Sequence, residues 1–208
     1  MRSVILTKKL NNTEIGRGGT HETYIYIPHS LDVSDLFEEL NEKIRFYCPQ
    51  NHKHYEFRLT HGREKRIVGL GPIYSDFDVY AGDEICLERR ISTGREEFLV
   101  SIKTYSNVIV LQRRKLAFEV LNEDRLPLIT DKSYLLEGDS KKPFSLAFKE
   151  AVKKRADSKE ATKLYDLLID GNSAVANYAN ADLFELSIEA DRVEIKEFYG
   201  WKKIQIGD

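Results

Sequence analysis

Long apolar runs are missing from this 208-residue chain. None approaches the roughly 18 consecutive apolar residues that a membrane helix needs. The N-terminal MRSVILTKKLNN holds too short an apolar stretch for a secretory leader. Cysteine is scarce: only Cys48 and Cys86 occur. They lie in separate strand-like segments and form no CxxC pair. They therefore read as reduced thiols, which excludes a disulfide scaffold and favours a cytoplasmic location. The five histidines lack the paired Cys/His spacing of zinc sites, so no metal site is expected. Proline is rare, at five, while 41% of the residues are hydrophobic and 32% charged, an ordinary globular composition. Neither sign of charge dominates: the formal net charge is −2. The first 115 residues carry 18 Lys+Arg against 16 Asp+Glu, and the remainder carry 14 against 18. Any contact with nucleic acid must come from local clusters, because bulk charge gives it little support.

What is present is alternation. Residues 3–9 (SVILTKK), 22–27 (ETYIYI), 43–48 (KIRFYC), 54–59 (HYEFRL) and 66–71 (RIVGLG) are rich in β-branched and aromatic residues and read as strands. Residues 33–40 read as a short helix after Pro28. Residues 74–90 read as a helical turn, a Gly-Asp turn and a strand. Residues 97–105 and 107–113 read as two more strands joined at Ser106-Asn107. Seven or eight short strands in 113 residues predict an open, barrel-like β-fold. The texture then changes. Phe144, Ala147, Phe148, Ala151 and Val152 share a helical face within 143–156, and Leu164, Leu167 and Leu168 share one within 158–171. Ser158 suits an N-cap and Gly171 a C-terminal cap, so these segments are expected to form a helical hairpin. Residues 183–198 read as a β-hairpin around Ala190-Asp191, and 201–206 as a last strand. The expected fold is mainly β with added helices: a seven- to eight-stranded open pseudobarrel over 1–115, and a smaller α+β extension over 116–208 packing on it.

Two segments carry chemistry. The first is GRGGTHETYIYIP, residues 16–28. It is not a P-loop, because no Lys-Ser or Lys-Thr follows. It is not a dinucleotide fingerprint either, because it leads into a strand, so no cofactor is expected. As a turn it needs no function. As an arm, its glycines would let the backbone approach phosphates while Arg17 and His21 offer donors. The second is HGREKRIVGLG, residues 61–71, between two strands. A solvated hairpin tip would account for it. Arg, however, donates in pairs to a guanine edge, Glu accepts from cytosine N4, and Lys meets phosphate as a point charge. A carboxylate inside a basic loop is unhelpful for nonspecific DNA binding and sensible for reading a base.

The order KKLNNTEIGRGGTHETYIYIP, then REKRIVGLG, then DFDVYAGDEICLERR resembles the N-terminal DNA-recognition domain of the EcoRII-type restriction endonucleases. That domain is of the DNA-binding pseudobarrel class, which also contains the plant B-three domain. The resemblance covers roughly residues 5–105. It rests on Gly18-Gly19-Thr20-His21 with Tyr26-Ile27-Pro28, on Glu64-Lys65-Arg66-Ile67 with Arg63 in front, and on Tyr80-Ala81-Gly82-Asp83. The turn before the strand carries one residue more than the family pattern. The resemblance implies two arms reaching into the major groove of double-stranded DNA, around residues 8–26 and 58–68. It implies DNA contacts by Arg17, His21, Tyr26, Arg58, Arg63, Glu64, Lys65 and Arg66.

The departure from that family lies in the second half. Restriction nucleases often hold Mg²⁺ with an Asp followed by Glu-x-Lys on the next strand. Glu194-Ile195-Lys196 fits the short half of that motif, with Asp182 or Asp191 upstream, but one buried face of an amphipathic strand explains the same pattern. The expectation is a non-catalytic target-recognition part of a restriction system, with a nuclease or motor domain or subunit as its partner. The alternatives are a complete small Mg-dependent endonuclease using the D…ExK residues, and an interaction protein with incidental basic loops.

Overall fold

Alternation sets the first strand. Along β1 (Arg2–Lys9) Val4 and Leu6 turn inward, and the same period carries Lys8 inward behind them. The computed structural model describes residues 1–17, 23–125, 134–137, 142–153 and 161–207. The chain divides into two compact units, residues 1–104 with 199–208, and residues 105–198.

The first unit continues with β2 (Tyr24–Ile27), β3 (Ile44–Cys48), β4 (Lys53–His61), β5 (Lys65–Val68), the short helix α1 (Gly71–Asp76), β6 (Glu84–Ser92) and β7 (Arg95–Lys103). The second contains β8 (Val108–Arg114), β9 (Ala117–Val120), β10 (Tyr134–Leu136), β11 (Lys142–Lys153), β12 (Ala161–Ile169), β13 (Asn172–Ser173), β14 (Leu183–Glu189) and β15 (Arg192–Glu197). The chain then returns to the first unit as β16 (Trp201–Ile206).

The first unit is one curled, eight-stranded open sheet in the order β16-β1-β6-β7-β3-β4-β5-β2. Its ladders are antiparallel except where β3 meets β7, a parallel junction at Tyr47 and Leu99. Phe46 and Phe57, both fully buried, face one another at 5.1 Å in the hollow of the sheet, with Phe37 and Phe98 against Phe46. The sheet's two edge strands are joined by a side chain: the Trp201 indole N–H of β16 donates to the Tyr26 carbonyl of β2 at 3.2 Å. This polar tie substitutes at the seam for the backbone ladder of a closed barrel.

The second unit is a closed seven-stranded barrel. Its order is β11-β10-β15-β14-β8-β9-β12, and β12 pairs back onto β11 to complete the ring, with β13 appended to β12. Phe118, Phe144, Leu167, Leu186 and Val193 fill it, and Phe184 packs edge-on against Phe118. Asn122, buried, acts as a stretch of strand: its Oδ1 accepts from the Val110 N–H and its Nδ2 donates to the Val108 carbonyl.

The mainly β architecture and the eight-stranded open sheet agree with the sequence reading. Other elements do not. The segments expected to form a helical hairpin are strands β11 and β12 over their described residues, and 154–160 lie outside those residues. Phe144 and Leu146 face the core, and so do Tyr165 and Leu167, a period of two that the apolar content at helical spacing hid. Residues 33–40 form no helix: Leu36 and Phe37 N–H both bond the Val33 carbonyl in one turn that goes no further. Residues 107–113 belong to the second unit and pair with β14 and β9, so Ser106-Asn107, inside that unit, is not a turn joining them to β7 in a hairpin. No helix among the described residues is long and apolar enough to cross a membrane.

Candidate nucleic-acid interface

The root of the first proposed arm is rigid. Asn11 and Glu14 cap one another: each backbone N–H donates to the other's side-chain oxygen at 3.1 Å. The Ile15 N–H bonds back to the Asn11 carbonyl, and the Arg17 N–H to that of Asn12. Gly16 takes φ +80°, the left-handed conformation that glycine adopts without strain. Beneath the turn lies a buried ion pair, Lys8 Nζ to Glu14 Oε2 at 2.9 Å, each side chain only 6% exposed. The Lys8 ammonium also donates to the Lys9 carbonyl and stands 6.0 Å from the Trp201 ring. Burial pushes the Glu14 carboxyl up from its ordinary range, against the pull of Lys8. It pushes the Lys8 ammonium down, against the pull of Glu14.

The Tyr80-Ala81-Gly82-Asp83 turn docks on this root. The Leu10 N–H donates to the Asp83 carbonyl and the Gly82 N–H to the Leu10 carbonyl. The Asp83 carboxylate closes the turn by accepting from the Tyr80 N–H. Two segments some 70 residues apart in sequence, both part of the resemblance, therefore form one piece of structure. Arg17 lies over the Tyr80 ring at 4.2 Å, with Asp78 at 3.9 Å. His21 lies outside the described residues.

The second arm is the β4–β5 hairpin with β2 along its free side. Register places residues on shared faces. Tyr26 is opposite Arg66, and Arg66 opposite Thr60; Tyr24 is opposite Val68, and Val68 opposite Arg58. Ile25, Ile27, Leu59 and Ile67 take the alternate, buried positions. The outer face of the β2–β5–β4 ribbon therefore carries Tyr24, Tyr26, Arg58 and Arg66 together. Arg63 and Glu64 are exposed at its tip, where the Gly62 N–H bonds the Glu64 carbonyl. Lys65 starts β5 on the opposite parity, nearer Asp32. The Asp32 carboxyl is held below its ordinary range chiefly by the Ser34 backbone N–H, with Lys203 and Lys65 contributing.

Arg66 is the most constrained of these side chains. Its guanidinium stacks on the Tyr24 ring at 4.1 Å. Its Nε and Nη2 donate to the Glu64 carboxylate at 3.2 and 3.0 Å. The Nη1 edge of the fork is left to donate to something else. Arg58 and Arg63 have no carboxylate partner among the described residues. The structure thus brings Tyr26, Arg58, Arg63, Glu64 and Arg66 onto one ribbon, and holds Arg17 apart at Tyr80. Sequence reasoning did not single out Tyr24; its register with Val68, alternate to the buried Ile25 and Ile27, places it on the outer face. It also missed Lys8, whose signal was a lysine at an inward position of an alternating strand.

The D…ExK residues are not assembled. Glu194 and Lys196 pair with one another on one face of β15. That hydrogen bond is the main reason the Lys196 ammonium holds its proton more tightly than usual. Ser187 is opposite Glu194 in the ladder, so Asp182, five residues before Ser187, stands about 16 Å away along the strand. Asp191 sits in the turn, off the face of Glu194. Among the described residues no three His, Cys, Asp or Glu side chains are grouped to hold a metal ion. The sequence matches no protein-family model and no curated protein.

Proposed function

We propose that the first unit binds double-stranded DNA in a sequence-specific way and serves as the target-recognition part of a restriction system. The observation that carries this reading is the β2–β5–β4 ribbon, with Arg58, Arg66, Tyr24 and Tyr26 on one face and Arg63 and Glu64 at its tip. A two-stranded β-ribbon fits the major groove, and the β4–β5 hairpin presents one at its tip, where Arg63 and Glu64 lie beyond the end of β2. A guanidinium held by stacking and by a carboxylate is set before it meets a base, which limits the entropy lost on binding. Glu64 restrains Arg66 in the free protein and can turn to a cytosine amine on the duplex. Arg58 and Arg63 suit phosphates, which would supply most of the affinity and make it salt-dependent. In this reading cleavage belongs to a nuclease or motor partner of the same system.

The test is fluorescence anisotropy with a randomised duplex pool at two salt concentrations without Mg²⁺, followed by sequencing of the bound fraction. The expected result is salt-dependent binding with one short enriched motif. Arg66→Ala should cost about 1–3 kcal/mol on that motif and relax it at one position. Arg63→Ala should weaken all duplexes alike. Absence of binding at low salt refutes the proposal.

A further inference from the structure

A groove lies on the outer surface of the second barrel, between the β8–β9 turn and the β11–β12 hairpin. It encloses about 970 Å³. Its floor is apolar: Leu116, Ala117, Val152 and Leu164 line it. Leu116 is 72% exposed and Val152 43%, on a barrel whose other large apolar side chains are mostly buried. An apolar strip of this kind marks an interaction surface.

Its rim is basic. Arg113, Arg114, Lys115 and Lys149 stand against Glu119 and Glu150. Arg114 is neutralised by Glu119 at 2.6 Å. Lys149 donates to the Leu116 carbonyl and not to a carboxylate. Lys115 has no carboxylate partner among the described residues, and the Arg113 Nε is buried without a hydrogen-bond partner. The groove therefore offers cations that, among the described residues, no acid of the barrel answers.

One wall is an open strand edge. β9 pairs with β12 only at Leu164 and Tyr165. Residues 161 and 162 run past the end of β9: they are held by β11 on one side and, among the described residues, have no strand on the other. Exposed backbone donors and acceptors beside apolar pockets are the elements of recognition by strand addition.

We infer that this groove docks an extended, acidic and apolar peptide segment of a partner protein. The strand edge supplies main-chain bonds, the floor takes alternate apolar side chains, and the rim takes the Asp or Glu residues between them. Other occupants fit less well. Phosphate backbones are held by polar and charged groups and have no use for an apolar floor. A second copy of the same groove would set Arg113, Lys115 and Lys149 against themselves. The inference concerns the second barrel alone and stands or falls independently of DNA binding by the first unit.

The experiment is selection of phage-displayed random dodecapeptides on the full chain, with the selected peptides then measured by anisotropy. The expected result is a motif of alternating apolar and acidic residues whose affinity falls about ten-fold in Leu116→Asp and in Lys115→Glu. Both positions are exposed, so circular dichroism should show both variants folded. No enriched motif, a basic motif, or peptides indifferent to both substitutions would overturn the inference. So would a single-stranded oligonucleotide that binds, loses affinity in Lys115→Glu and keeps it in Leu116→Asp, since that would make the rim a phosphate surface.

Discussion

The buried pair of Lys8 and Glu14 makes a quantitative test of how the first arm is rooted. At 2.9 Å the two charges attract by about 6 kcal/mol at an effective dielectric near 20. Taking each ion out of water costs several kcal/mol, so the net worth of the pair is close to zero. Its members are not dispensable singly. Lys8→Met leaves a buried carboxylate without its counter-ion and should cost about 3–5 kcal/mol, a large part of the stability of an ordinary domain. Lys8→Met with Glu14→Leu removes both charges at similar volume but also the acceptor of the Asn11 N–H, and should recover much of the loss, to within about 2 kcal/mol of the parent. The pH dependence fixes the cause. Burial already raises the Glu14 carboxyl, and loss of Lys8 raises it further. A carboxyl raised in the folded state contributes stability below its unfolded pKa and loses it as pH rises through the folded value. The deficit of Lys8→Met should therefore be smaller at pH 5 than at pH 8. Urea unfolding followed by fluorescence is the assay, because Trp201 is the only tryptophan and lies beside Lys8. A double variant as unstable as Lys8→Met, or a deficit equal at both pH values, refutes the reasoning.

Three further substitutions test the frame. Gly69, at φ +95°, has no room for a Cβ, which would strike the Glu56 carbonyl; Gly69→Ala should cost about 2 kcal/mol or more by urea midpoint. Trp201→Phe keeps the ring and removes the bond to the Tyr26 carbonyl, so it should lower stability by about 1 kcal/mol and speed amide exchange in β2. Asn122→Ala orphans the Val110 N–H and the Val108 carbonyl in the interior of the second barrel, at an expected 2–3 kcal/mol, about one penalty for the pair, read by thermal circular dichroism.

Local pattern carried most of the first unit. Alternation is regular over Val4–Lys8 of β1, Tyr55–Leu59 of β4 and Glu84–Leu87 of β6, and the hairpin of β14 and β15 turns at Ala190, φ +54°, where Ala190-Asp191 announces it. The β11–β12 hairpin was illegible for a physical reason. Apolar residues at 144, 147, 148, 151 and 152 satisfy a helical period, while the strand is decided by partners far along the chain, such as Tyr165 against Phe118. The arm residues were nameable from their chemistry, Arg66 and Glu64 above all. Their constraint was not, since Tyr24 under Arg66 and Trp201 on Tyr26 depend on strand register and on a return of the chain after 170 residues. The first unit ends at residue 104 and resumes at 199, and nothing local marks β8 as the start of a second barrel.

That return has a consequence for how the protein is made. The closing strand of the first unit leaves the ribosome after the whole of the second barrel. Until residues 199–208 emerge, the outer edge of β1 has no neighbour, and Lys8 lacks the indole that covers it. The second barrel is complete in sequence before then. During synthesis the inserted barrel can finish first while its host waits open. A fragment cut at residue 115 would keep every residue of both arms and lose the strand that seals the seam behind them.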